Sequence, residues 1–140
     1  MAGYSYLLSG GRLAQGSAPP LGVPLPFDTV VLAAREYQPD LPGFEVVRVP
    51  LDDGPPPTKA ERMRIRHVAR DVADRVRAGK RVLVTCWAGR NRSGVISGLA
   101  MRHLGVPGPE AAARIRRARE GLTNPHFYAM VVGSPVQPDR

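Results

Sequence analysis

A chain of 140 residues suits one compact domain, able to bury about two-thirds of its unfolded surface around one core. Its 43% hydrophobic and 23% charged residues exclude a disordered chain, and no run of about 18 apolar residues exists to span a membrane. The net charge of +8 rests almost wholly on arginine, and it either draws anionic partners (phosphate groups, nucleic acid, acidic lipid) or is a plain solubilising surplus.

The N-terminal MAGYSYLLSGG lacks the basic-then-apolar plan of a secretory leader, so a cytoplasmic enzyme is expected. Residues 5–8 (SYLL) read as a short strand before the Gly10–Gly11 turn. APPLGVPLP (18–26) is a Pro-rich connector, which leaves residues 1–26 partly loop-rich. FDTVVLAA (27–34) and FEVVRVPL (44–51) read as buried strands, joined by the loop REYQPDLPG. DDGPPP (52–57) must be a loop, since three successive prolines remove backbone donors.

Thr58 and Glu61 form a capping box. Ile65, Val68, Ala69, Val72 and Val76 then recur at helical spacing until Gly79 stops the helix. RVLVT (81–85) is a third strand, and a second helix runs from about Ser93 to Leu104. Pro109 opens another helical region. Ala112, Ile115 and Ala118 face inward there, and Arg114, Arg116, Arg117 and Arg119 mostly outward, up to Gly121. NPHFYAMVV suggests a last short helix, followed by a loose tail over 133–140. Strands alternating with helices predict one α/β domain over 1–140, a mostly parallel sheet with helices on both faces.

The segment VLVTCWAGRNRSG (82–94) carries the chemistry. A strand delivers the chain to the carboxyl edge of the sheet, where open α/β folds bind ligands. Six residues (Trp87, Ala88, Gly89, Arg90, Asn91, Arg92) then loop to a helix start at Ser93. Loop and helix amides can converge into an anion cradle, and Gly89 permits the tight turn. The lone cysteine, Cys86, has no disulfide partner in the chain. At the mouth of such a cradle its pKa should fall. Arg92 can hold two phosphate oxygens with its fork. The Ser93 hydroxyl can bond to the sulfur. Hydrolysis of a phosphate monoester also needs an acid, and Asp52 and Asp53, after a parallel strand, share the carboxyl edge with Cys86.

C-W-A-G-R-N-R-S-G resembles the signature loop of the dual-specificity group of protein tyrosine phosphatases. VPLDDGPPP resembles that family's acid loop, with Asp53 on the acid position and Asp52 its neighbour. RVLVT resembles the strand leading into the nucleophile, and GLTNPHF the closing segment, whose Asn matches Asn124. The likeness spans roughly residues 27–130. It implies a central twisted sheet of four or five strands flanked by helices, and a hydrolase with no metal and no cofactor. Its implied route is attack by Cys86, clamping by Arg92, proton transfer by Asp53, and relief of the leaving sulfur by Ser93. The family usually has His before the cysteine. Here it is Thr85, which could hydrogen-bond in its place.

The function expected is hydrolysis of phosphotyrosine, and of phosphoserine or phosphothreonine, on proteins through a cysteinyl-phosphate. The alternatives are a phosphatase of inositol phosphates, phosphoinositides or RNA 5′ phosphates, for which Arg90 at the loop rim is a hint, or a non-catalytic phosphate-recognition module. Direct nucleic-acid binding is disfavoured because no aromatic platform accompanies the basic run at 114–119. His67, His103 and His126 share no metal-ligand spacing. Trp87 is expected to pack under the loop, and Glu36 to be a solvated carboxylate rather than a brace for Arg92.

Overall fold

The structure, a computed structural model, describes residues 3–133, so the expected tail lies outside it beyond Gly133. Its elements are β1 (Tyr4–Tyr6), β2 (Leu13–Gly16), β3 (Thr29–Ala34), β4 (Glu45–Leu51), α1 (Lys59–Arg77), β5 (Val82–Thr85), α2 (Arg92–His103), α3 (Gly108–Arg119) and α4 (Pro125–Val132). The five strands order as β1-β2-β5-β3-β4. All neighbours run parallel except β1 against β2. Insertion of β5 between β2 and β3 puts its carboxyl end at the centre of the sheet edge, and Cys86 is the next residue.

The strand β2 was not legible. LAQG is four residues long, holds a polar side chain and ends in glycine, and only its pairing with β5 makes it a strand. The expectation that 44–51 is fully buried is corrected. β4 is the sheet edge, with Val49 and Leu51 inside and Glu45 and Pro50 exposed. An edge tolerates Pro50, which has no N–H to give, and the ladder with β3 shifts register beside it.

The expectation of helices on both faces is also corrected. Buried residues from all four helices join one core with Leu13, Val31, Val82 and Val84. The other face, with Ala14, Val30, Leu32 and Leu83, packs instead against Phe27, Leu41, Leu25 and Phe44 from the connectors. The connector from β2 to β3 carries Pro19, Pro20, Pro24 and Pro26, which deny it the hydrogen bonds of a helix. Within α3, Ala111 is buried where Ala118 was expected, and Ala118 is exposed. The helix ends with Glu120 in a left-handed conformation, at φ 53°. Gly121 serves the close approach instead, since a Cβ there would lie 2.5 Å from the Arg90 carbonyl oxygen.

The helix α1 is held as its sequence predicts. Ile65, Val68, Ala69, Val72 and Val76 are buried, and each large apolar side chain so buried contributes about 1.5–3 kcal/mol. The Glu61 N–H donates to Thr58 Oγ1 at 3.1 Å, and the Thr58 N–H donates to Glu61 Oε1 at 2.8 Å. Thr58→Ala should cost about 1 kcal/mol and lower the melting temperature by about 2–5 °C in a thermal scan, whereas Thr58→Ser should leave it nearly unchanged.

Candidate active site

The cysteine loop is built by what its carbonyls bond to. The Ala18 N–H donates to the Trp87 carbonyl at 3.1 Å. The Gly89 carbonyl accepts from Gln15 Nε2 at 3.1 Å and Arg119 Nε at 3.2 Å. The Arg90 carbonyl accepts from Gln15 Nε2 at 3.2 Å and from the Leu122 N–H at 3.2 Å. In a trans peptide the C=O and the next N–H point in opposite directions. The amides of Ala88, Arg90 and Asn91 are therefore turned away from β2, α3 and the α3–α4 turn. Gly89, at φ +72°, lies against the end of β2, where a Cβ would come within 2.6 Å of Gly16 and Ser17 backbone atoms. That contact admits glycine alone.

Cys86 is buried, and its Sγ lies 3.2 Å from Ser93 Oγ. Thr85 does not reach the sulfur. Its hydroxyl donates to the Val31 carbonyl at 2.7 Å, across the β5–β3 pair. Two guanidinium groups lie within electrostatic reach of Cys86. Arg92 is raised above its ordinary pKa, first by its bonds to Glu36 and then by Cys86 and Asp53. Arg119 is lowered by burial, which the field of Cys86 opposes. The expectation that Arg119 faces outward is corrected, because it turns in to brace Gly89.

Arg92 is 7% exposed and is gripped from behind. Its Nη1 and Nη2 donate to Glu36 Oε1 at 2.6 Å and Oε2 at 2.7 Å, and Nη1 also donates to the Leu51 carbonyl at 3.0 Å. Glu36 is thus the brace, not the solvated carboxylate expected. Arg92 Nε is buried with no hydrogen-bond partner among the described residues. A buried donor left so costs about 1–3 kcal/mol, and an anion in the loop is the kind of partner that would relieve it.

Asp53 is docked on the cysteine loop and on α4 together. Asn91 Nδ2 donates to its Oδ2 at 3.0 Å, and Asn124 Nδ2 to its Oδ1 at 2.8 Å. Asn124 Oδ1 caps α4, accepting from the His126 N–H at 3.0 Å, while the Asn124 N–H donates to Asn91 Oδ1 at 2.9 Å. Asn124 therefore ties the Asp53 loop to the cysteine loop. Asp52 points elsewhere, to Arg35 Nε at 3.0 Å. Trp87 does not pack under the loop. It is 55% exposed and meets Tyr37 edge-on at 5.7 Å. Ala88 and Arg90 are exposed beside it.

The residues that sequence reasoning passed over are Gln15, Arg119 and Tyr37. Only Gln15 left a signal, a polar side chain between the apolar Ala14 and Gly16. The basic run is largely engaged within the chain. Arg114 and Arg117 pair with Glu110, and Arg116 lies 3.9 Å over the Tyr128 ring.

No protein-family model and no curated protein matches the sequence. Solved structures do. The chain is 25% identical to human DUSP28, covering 94% of this chain and 91% of that one, with a TM-score of 0.78. It is 26% identical to a mouse protein described as a dual specificity phosphatase, covering 92% and 84%, with a TM-score of 0.77. OH1 from the Orf virus, a tyrosine phosphatase, shares the fold at 20% identity, covering 94% and 85%, with a TM-score of 0.70. The chain is a small α/β domain of the protein tyrosine phosphatase type. Within that type, the solved structures it is similar to include dual specificity phosphatases.

Glu36 supplies a pH signature. The Arg92 fork, then its own backbone N–H, hold its carboxyl down to about 2, against an unfolded value near 4.3. A depressed carboxyl stabilises the fold fully above its unfolded value, and that contribution is lost as pH falls toward 2. Solvent screens the pair, since Glu36 is half exposed. Glu36→Gln should therefore lower the denaturant midpoint at pH 6, and the gap to the natural chain should shrink steadily between about pH 5 and pH 2.5. A gap independent of pH would contradict the pairing.

Proposed function

We propose that the chain hydrolyses phosphate monoesters through a cysteinyl-phosphate, with Cys86 as nucleophile. One observation carries this reading: a buried sulfur, a hydroxyl 3.2 Å from it, a braced guanidinium whose Nε has no partner among the described residues, and a docked carboxyl meet at one loop. The zinc tungstate complex of the mouse protein adds support, since tungstate is a tetrahedral oxyanion like phosphate.

In the first step the Cys86 thiolate attacks phosphorus, an S–P bond forms, and the P–O bond to the leaving group breaks. Arg92 Nε and the amides of Ala88, Arg90 and Asn91 hold the equatorial oxygens. Asp53 gives its proton to the departing oxygen. In the second step Asp53 takes a proton from water, the water oxygen bonds to phosphorus, and the S–P bond breaks. Ser93 donates to the sulfur as its charge returns. Preorganised donors supply most of the acceleration in such a site.

The rim supports phosphotyrosine as the leading substrate class. Trp87 follows the nucleophile and stands exposed, held edge-on by Tyr37, whose hydroxyl is fixed to the Pro19 carbonyl at 2.7 Å. An aromatic lip of this kind packs well against an aryl leaving group.

An aryl phosphate assay at pH 5–7 with chelator present should show turnover. Cys86→Ser should abolish it, and Asp53→Ala should lower kcat about 10²–10³-fold. Full activity in Cys86→Ser would falsify the reading, and binding of phosphate without turnover by the natural chain would make it a recognition module. Trp87→Ala should raise KM for phosphotyrosyl peptide more than for inositol phosphates.

A further inference from the structure

Gln15 is wholly buried at the centre of β2, and the steps above do not use it. Its position decides the polarity of the hydroxyl beside the nucleophile. A carboxamide has one donor end and one acceptor end. The end that faces the loop lies 3.1 Å from the Gly89 carbonyl and 3.2 Å from the Arg90 carbonyl. Both are acceptors, so that end must be the NH2. Turning the group over would set a carbonyl against two carbonyls. The orientation is kept even though Oε1 has no hydrogen-bond partner among the described residues.

The same nitrogen lies 3.0 Å from Ser93 Oγ. The NH2 shares its two hydrogens among these three acceptors and its nitrogen accepts none, so Ser93 is an acceptor toward β2 and its own proton is free to point to the other neighbour, Cys86 Sγ at 3.2 Å. A thiolate accepts that proton, whereas a neutral thiol would bring a second donor to the same hydroxyl. We propose that Gln15 is a positioning residue that fixes the Ser93 hydroxyl as a donor to Cys86, and so holds the sulfur as thiolate both before attack and on departure. The inference deepens the phosphatase reading and rests on Cys86 as its nucleophile.

The charged groups facing the sulfur are not bonded to Gln15, whereas the loop amides of Arg90 and Asn91 are oriented in part by its bonds to the preceding carbonyls. Arg92 comes from α2 and Arg119 from the end of α3. Glu36 and Asp53 face Arg92 from the loops after β3 and β4, and Arg90 stands at the rim. Thr85 is committed to Val31. A change in the sulfur on removing the carboxamide thus travels through Ser93 or through those amides, and a Ser93→Ala background separates the two paths.

The test is Gln15→Met, which keeps length and removes the N–H. Alkylation of Cys86 by iodoacetamide, followed from pH 4 to 10 on protein shown folded by its melting curve, reads the thiolate directly. Gln15→Met should raise the midpoint above that of the natural chain by about one unit, a tenfold loss of thiolate at acidic pH. With an aryl phosphate, kcat should fall about tenfold and KM change by less than about threefold. In a Ser93→Ala background Gln15→Met should add nothing. An unmoved midpoint in the folded variant, or the same shift without Ser93, overturns the inference.

If Gln15→Met fails to fold, the natural chain and Ser93→Ala decide. A natural midpoint that Ser93→Ala does not raise overturns it; one that Ser93→Ala raises supports it. Alkylation needs no turnover. A midpoint that moves in a chain without phosphatase activity sinks the hydrolase reading alone, and turnover through Cys86 with an immobile midpoint sinks the role of Gln15 alone.

Discussion

The site depends on carbonyl oxygens being drawn out of a six-residue loop. Peptide groups in a tight turn have no intrinsic preference for showing their N–H side to the centre. Here the carbonyls of Trp87, Gly89 and Arg90 are each held by a donor outside the loop. Those donors come from three directions: the second residue after β2, the interior of β2, and the segment at and after the end of α3. The concave side is left with a positive lining that no single residue provides. It follows that the loop cannot be understood without β2, the least conspicuous element of the chain.

A second constraint acts on the charge at the bottom of the loop. A buried guanidinium is tolerated when its planar fork is matched by a carboxylate and its remaining protons find acceptors. Glu36 matches two nitrogens of Arg92 and the Leu51 carbonyl takes another bond. Because Glu36 follows β3 and Leu51 ends β4, the arginine also ties the root of the Asp53 loop to the cysteine loop. The Asn91–Asp53–Asn124 bonds complete the tie on the outer side. Three consecutive loops of the sheet edge are thus locked by polar contacts.

Much of this was legible in the sequence, and the reasons differ between elements. The helix α1 announces itself because cap, apolar period and stop agree. The cysteine loop was readable because strand, glycine, arginine and serine stand in one short stretch. Long-range partners were not readable. Nothing in REYQPDLPG says that Glu36 meets an arginine 56 positions away, and four arginines in one helix do not reveal that Arg119 turns inward. Trp87 was expected to be buried because tryptophan usually is, yet the outward turn of the loop places it at the lip. β2 failed because its pairing energy lies in β5 and not in its own four residues.

The one-sided helical layer divides the molecule mechanically. One face of the sheet is stiffened by four helices that share a single core, and the site loop grows out of that half. The opposite face is shielded by connectors rich in proline, with few backbone hydrogen bonds of their own. Such a cover opens at low free energy, because lifting it breaks side-chain contacts and hardly any ladder. Amide protons on that side of the chain should exchange through small local openings, while those behind Cys86 should wait for the whole domain to come apart. The protein can breathe on its loop-covered flank without disturbing the geometry of its sulfur.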